Sequence, residues 1–350
     1  MWMETEVFHA DMQSICGASF IPWDKLRNKS ILVTGGTGLI GTTLICALLY
    51  TSKKKELGLT VTALVRDEDR ARERFAEHPR NGEGLRFVVG SVEALPDIDI
   101  PVDYIIHGAS QTASRAFVEQ PVETVKTAVQ GTMNLLELAK EKCALGFAYL
   151  SSMEVYGHPQ CGHKVTEDEI GALSPLDIRN SYPISKMQCE SLCCTYAKEY
   201  GVPAVILRLT QTFGPGVKED DQRVFAEFGR CVREGRDIVL KTRGETERSY
   251  LYTADAVTAV LCSLLKGAPG VAYNAADDNT YCSIAEMARM VAEWGGVKVR
   301  YELEDEAANG YSALLYMDLD TSRLKNLGWR PADRQTERSV VEMYRRMMGK

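Results

Sequence analysis

Long apolar runs are missing from this chain of 350 residues. No stretch approaches the roughly 20 apolar residues of a membrane-spanning helix, so no membrane partner is expected. Positive charge is in deficit too: 41 Lys and Arg face 48 Asp and Glu, for a formal net charge of -7. That balance argues against nucleic acid or an anionic membrane surface as a partner. The first thirty residues carry Glu4, Glu6, Asp11 and Asp24 with no sustained apolar core, so they do not resemble a secretory signal. The ten cysteines show no regular spacing, which argues against a disulfide framework and predicts reduced thiols in the cytoplasm. His158, Cys161 and His163 do not match a structural zinc spacing and lack a fourth ligand, so no metal is expected. Internal repeats and low-complexity linkers are absent. These absences leave a soluble chain long enough to bury a large core in two subdomains.

Glycine, in contrast, is concentrated where it matters. Residues 34–41 read Thr-Gly-Gly-Thr-Gly-Leu-Ile-Gly directly after the apolar run Ile31-Leu32-Val33. A strand must stop here and turn into a helix, which glycine permits because it has no Cβ. In such a turn Gly35 allows the tight bend, Gly38 lets a pyrophosphate approach the backbone, and Gly41 lets the helix pack on the strand. The apolar run Thr42 to Tyr50 reads as the helix that follows, whose free N–H groups and positive dipole end favour phosphate, with Leu39 and Ile40 among the expected cofactor-binding residues. Further strands are predicted at 61–65, 85–89, 104–106, 147–150 and 205–207, with a long amphipathic helix from Val122 to Cys143. This alternation predicts an α/β protein: a Rossmann-type doubly wound parallel sheet with ligands at the carboxyl ends of its strands. The expected organisation is an N-terminal extension (1–29), a dinucleotide-binding domain (30–210) and a smaller, mainly substrate-binding C-terminal subdomain (211–350). Some C-terminal segments are expected to return to the Rossmann core. The role of the extension is not legible.

Tyr182 and Lys186 lie four residues apart on a helix-like segment, with Ser151 and Ser152 upstream. Free tyrosine has a pKa near 10 and is protonated at neutral pH. A lysine one turn away, together with a cationic nicotinamide, would favour the phenolate and bring Tyr182 toward working range as a base. A Tyr–Lys pair at this spacing is an ordinary surface feature when it stands alone. Placed after the Gly-rich turn and the Ser pair, it points to a nicotinamide-dependent enzyme acting on an alcohol.

Together with Ser151-Ser152-Met153-Glu154-Val155-Tyr156-Gly157, Tyr182-Pro183-Ile184-Ser185-Lys186 and the segments 207–216, 244–255 and 320–331, these motifs resemble the extended short-chain dehydrogenase/reductases of the nucleotide-sugar epimerase/dehydratase group. The resemblance covers Lys29 to Pro331. It implies that Tyr182 is the base for a sugar hydroxyl, that Lys186 also holds the nicotinamide ribose, and that Ser152 hydrogen-bonds the reacting oxygen. It further implies a cofactor bordered by Ala109, Ser110 and Ser151, a substrate site including Tyr156, Gln211 and Arg248, and a homodimer formed through the long helix and the Tyr182 helix. Members that eliminate water carry an Asp-Glu pair after the Ser/Thr; here the pair is Met153-Glu154, so 4,6-dehydration loses its acid while Glu154 stays a catalytic candidate. Gln211 and Ala128 stand where relatives commonly carry Asn.

The expected cofactor is NAD or NADP, tightly bound. The second strand ends Leu64-Val65-Arg66-Asp67, so Arg66, suited to a 2′-phosphate, precedes the first carboxylate, Asp67. The expected substrate is a nucleotide-diphosphate sugar, held by arginine forks. Arg248 is the leading candidate; Arg208 is another, and Arg323 reads as part of a structural turn. The expected reaction is C4 oxidation followed by epimerisation. The alternatives are decarboxylation of a nucleotide-linked uronic acid or a 4,6-dehydratase-like reaction, an NADPH-dependent ketoreductase, and a non-catalytic NAD(P) sensor.

Overall fold

A computed structural model describes residues 2–76, 84–111, 114–159, 162–304, 314–332 and 339–349. A 3₁₀ turn (Trp2–Glu4) and helix α1 (Glu6–Gly17) precede the first strand. Then follow β1 (Ser30–Thr34), α2 (Leu39–Lys54), β2 (Thr60–Val65), α3 (Glu68–Phe75), β3 (Leu85–Val89), β4 (Tyr104–His107), α4 (Ser114–Glu119), α5 (Pro121–Glu141), β5 (Gly146–Ser152), α6 (Ser181–Tyr200) and β6 (Ala204–Leu209). The remainder is β7 (Gln211–Phe213), α7 (Val224–Glu234), β8 (Ile238–Leu240), β9 (Glu247–Tyr252), α8 (Thr253–Lys266), β10 (Ala272–Ala275), β11 (Asp277–Ser283), α9 (Ile284–Gly295), β12 (Val299–Tyr301), β13 (Tyr316–Met317), α10 (Ser322–Asn326) and α11 (Ser339–Met347).

The main sheet has seven parallel strands in the order β10-β6-β5-β4-β1-β2-β3. The chain winds outward from β1 to β3, then crosses back and winds the other way from β4. The crevice therefore opens between the carboxyl ends of β1 and β4, where an open α/β sheet binds its ligand. Side chains alternate across the sheet: Ile31, Val33, Val61 and Ile106 join the core containing α2 and α8, while Leu32, Leu64 and Ile105 join that containing α5 and α6. A sheet buried on both faces reads as near-continuous apolar runs, which is why its inner strands were legible, whereas β10 was not among the expected strands. The seventh strand, β10, and the covering helix α8 come from beyond Gln211. They place C-terminal sequence inside the Rossmann core. β9, which leads into α8, sits between β11 and the parallel strands β13 and β7 in a separate four-stranded sheet.

The N-terminal extension is structural. Thr5 caps α1, which buries Phe8, Met12 and Ile15, one helical stripe, in the core shared by α2 and α8. On the same helix the buried Asp11 carboxylate accepts from the Tyr252 hydroxyl and from Arg346, both at 2.6 Å, tying the chain's first helix to β9 and to α11. Trp2 lies under Arg74, which also donates to the Gly216 carbonyl. No helix among the described residues is long and apolar enough to cross a membrane.

Candidate active site

The turn after β1 is built as its glycines suggest. Gly35 takes φ +72, and a Cβ there would lie 2.6 Å from the Gly108 carbonyl carbon, so the β1 and β4 loops pass in contact. Gly38 is the N-cap of α2 and offers no side chain to its first turn. The N–H groups of Leu39, Ile40 and Gly41 therefore have no helical carbonyl to reach and point into the crevice end of α2. A Cβ on Gly41 would lie 2.2 Å from the Gly35 carbonyl oxygen, which is backbone and cannot step aside. Gly41→Ala is expected to open the turn and cut retained dinucleotide about tenfold, read by mass spectrometry of the purified protein. Arg66 is exposed at the end of β2, whereas the Asp67 carboxylate accepts from the Arg70 N–H at 3.0 Å and is committed to capping α3.

Behind the turn, His107 links the two loops. Its ring bridges Thr34 Oγ1 at 2.8 Å and Thr132 Oγ1 at 3.1 Å, and Thr34 Oγ1 accepts from the Ala109 N–H. Burial, and then the charge of Lys186, push the imidazole down to about 3. The unfolded chain protonates His107 near pH 6.5, but the folded one does not until about pH 3. Stability contributed by this group is thus full above pH 6.5 and lost as pH falls toward 3. His107→Gln is expected to flatten the stability profile by about one proton across that window, measured by denaturant melts at several pH values.

At the end of β5 the candidate catalytic groups converge. Tyr182 is 7% exposed on α6, and the Ser152 hydroxyl lies near enough to its phenol to favour the charged form. Lys186, 3% exposed, donates from Nζ to the Leu150 carbonyl at 2.7 Å, and its Nζ lies 5.8 Å from the centre of the Tyr182 ring. Burial pulls the ammonium down to about 8. The phenol is not brought toward neutrality by these residues. Burial and, next, the Glu154 carboxylate hold it well above the ordinary tyrosine range. The sequence reading credited Lys186 and a cationic nicotinamide together with lowering it; among the chain's own groups, desolvation is the largest influence.

Several expected site residues have other duties. Tyr156 is fully buried; its hydroxyl donates to Asn274 Oδ1 at 2.6 Å and accepts from Arg208 Nη1 at 2.9 Å, leaving nothing to offer a substrate. Burial, its largest influence, pushes that phenol up to about 12. The Ser151 hydroxyl donates to Glu190 at 2.5 Å, so only its backbone can border the cleft. Arg208 forks onto Glu190 and is unavailable as a phosphate ligand. Arg323 pairs with Glu167 and Asp168, as a structural arginine does. Ser110 Oγ turns to the Gln111 carbonyl. On α6, Cys189 and Cys193 are buried and Cys194 is exposed. Of the expected metal-free cluster, His163 binds Glu169, and Cys161 lies outside the described residues.

Two candidates keep free capacity. Gln211 is half-buried at the start of β7, in register with Tyr250. Arg248 lies on β9, and its Nε is buried without a hydrogen-bond partner. An orphaned charged donor is costly unless something occupies it. Met153 is buried, and its thioether accepts from Thr210 Oγ1 at 3.2 Å; it has no proton to give. Sequence reasoning missed Phe117, which stacks on Tyr182 at 4.2 Å and 6°, and Arg179, which grips Glu154. Arg179 had a usable signal, a cation three residues before the tyrosine. Phe117 had none.

The model of the NAD dependent epimerase/dehydratase family matches residues 31–276. The chain belongs to that family. UDP-glucuronic acid decarboxylase 6 of Arabidopsis thaliana is 31% identical over 67% of this chain and 65% of its own length. UDP-glucuronic acid decarboxylase 1 of Xenopus tropicalis is 30% identical over 77% and 61%. The family member described here thus spans less than two thirds of the length of those relatives. Its fold matches UDP-N-acetylglucosamine 4-epimerase from Methanobrevibacter ruminantium M1, solved with UDP-N-acetylmuramic acid, at a TM-score of 0.76 and 21% identity over 92% and 99% of the two chains. The Rossmann-type α/β assignment made from the strand pattern therefore holds for this family member.

Proposed function

We propose that this protein is an enzyme that oxidises a nucleotide-diphosphate sugar transiently at C4 and returns it as the epimer. The observation that carries this reading is the grouping of Ser152, Tyr182 and Lys186 at the carboxyl end of β5, in a fold whose α2 N-terminus is uncapped for a dinucleotide. A nicotinamide dinucleotide there would accept hydride from C4, give it back to the opposite face, and add a positive charge beside the phenol. Tyr182 takes the C4 hydroxyl proton and later restores it. Ser152 holds the reacting oxygen. Lys186, fixed by the Leu150 carbonyl, carries a charge near neutral pH and keeps two further donors for a ribose.

The family description supports NAD, and the exposed Arg66 is the residue by which a 2′-phosphate would be held. Ala109, next to the α2 turn, borders the same cleft. The orphaned Arg248 Nε supports a diphosphate, with Gln211 beside it on the neighbouring strand β7. We assign residues from Gln211 onward, apart from α8 and β10, to substrate binding. Outward residues of α5 and α6, including Val122, Val125, Met133 and Tyr200, are exposed and support a homodimer. A cytoplasmic location is part of the same reading.

Decarboxylation of a nucleotide-linked uronic acid is the second reading. It is favoured by Glu154, held at the site by Arg179, and by the decarboxylases among the relatives. The test is to denature the purified protein, identify the released dinucleotide by mass spectrometry, and then offer the intact protein UDP-hexoses and UDP-uronic acids. Inversion at C4 without loss of carbon supports the epimerase; carbon dioxide with a pentose product supports the decarboxylase. No product with either class, together with NADPH-dependent reduction of a ketone, would sink both.

A further inference from the structure

Around Tyr182 the structure assembles a layer that the epimerase reading does not require. Both terminal nitrogens of Arg179 donate to Glu154 Oε2, each at 3.2 Å. The Arg179 guanidinium lies 5.0 Å from the centre of the Phe117 ring, and Phe117 in turn stacks on Tyr182. The layer is fixed at several points. Ser181 Oγ donates to the Phe117 carbonyl, and Asp177 caps the short turn Ile178–Asn180 by accepting from the Arg179 N–H. Phe117 is 1% exposed, so it also keeps water off one face of the phenol ring.

Among the described residues, the charges facing Tyr182 come from four elements. Glu154 follows β5, Arg179 precedes α6, Lys186 lies on α6, and Arg223 stands at the N-cap of α7. Arg223 is paired with Asp221, and Lys186 is tied to the Leu150 carbonyl. Glu154 is thus the carboxylate that disfavours a phenolate here, and its partner Arg179 is the cation that offsets it. Both side chains are about one-third exposed, so water screens the pair without cancelling it.

We propose that Arg179 is a positioning residue that works through Glu154: by gripping the carboxylate beside Phe117, it offsets the negative charge next to Tyr182 and lets the phenol release its proton. The proposal rests on Tyr182 being the base of the proposed redox reaction. It has opposite consequences for the two partners. Removing Arg179 leaves an unpaired carboxylate near the phenol, and removing the Glu154 charge leaves an unpaired cation.

The test is a titration of Tyr182 in the purified protein with its cofactor, using tyrosine labelled at the ring carbon that bears the hydroxyl. The signal is assigned by its loss in Tyr182→Phe. Arg179→Gln is expected to shift the midpoint up by about half a pH unit to one unit, and Glu154→Gln to shift it down by a similar amount. The double variant should return near the parent, and Arg179→Lys should largely rescue it. The alkaline shift should also appear in the pH dependence of cofactor reduction, followed at 340 nm in a single turnover. Equal-sign shifts in the two single variants, no shift in either, or a lysine variant that behaves like glutamine would overturn the proposal. So would a phenol that fails to titrate below pH 11 in both the parent and Glu154→Gln. If no nucleotide sugar reduces the cofactor in the parent protein, the redox reading fails, while the labelled titration still decides the electrostatic one.

Discussion

Tyr182→Phe is expected to lower turnover about 100- to 10,000-fold, the range typical for losing a positioned acid–base group. Dinucleotide content and folding should stay as they were. The substitution removes one oxygen from a ring that remains stacked on Phe117, so packing is conserved. The buried consequence is small, because the neighbouring Ser152 hydroxyl is half-buried and already accepts from the Glu154 N–H. The measurement is steady-state turnover on whichever nucleotide sugar the protein accepts, alongside the mass of the released dinucleotide. A variant that keeps full turnover would remove Tyr182 from the reaction. A variant that loses turnover but keeps a biological effect of the protein would favour a sensor over an enzyme.

Glu190→Ala should be the most damaging single change to stability outside the hydrophobic core, costing about 3–5 kcal/mol. Glu190 and Arg208 are 9% and 13% exposed in their side chains. The carboxylate accepts from Arg208 Nε and Nη2 and from the Ser151 hydroxyl. Arg208 Nη1 donates to the Tyr156 hydroxyl and to the Glu167 carbonyl. Deleting the acid strands a guanidinium among neutral acceptors, and that uncompensated charge dominates the cost. Replacing both partners by apolar residues, Glu190→Leu with Arg208→Met, should be far milder, since the pair's own attraction is largely spent on desolvation. Urea midpoints for the single and double variants check this. Equal losses in both would mean that the cavity, not the charge, sets the cost. Because the network joins the end of β5 to α6, the single variant should also blur the Ser152–Tyr182 geometry and reduce turnover.

The dinucleotide turn and the Tyr–Lys pair were legible because their geometry is local. A strand-to-helix reversal needs glycine at fixed offsets, and one helical turn brings positions 182 and 186 to one side. The sheet's inner strands were legible because burial on both faces leaves unbroken apolar runs; the edge strand β10 was not. Those features set the fold class and the chemistry proposed for the site. The partners were not legible, because they meet across long separations. Tyr156 finds Asn274, 118 residues away, and becomes scaffold instead of substrate site. Asp11 finds Arg346 across 335 residues, which gives the N-terminal extension its place. Arg208 and Glu190 are only 18 apart, yet they meet because α6 and β6 pack together. A polar side chain announces that it needs a partner when buried, but not which one. The sequence therefore determined which groups could do the chemistry, and the tertiary structure decided which of them remain free to do it. Burial favours pairing each charged or hydroxyl group, and that pressure consumed Tyr156, Ser151 and Arg208 while Arg248 Nε stays without a partner.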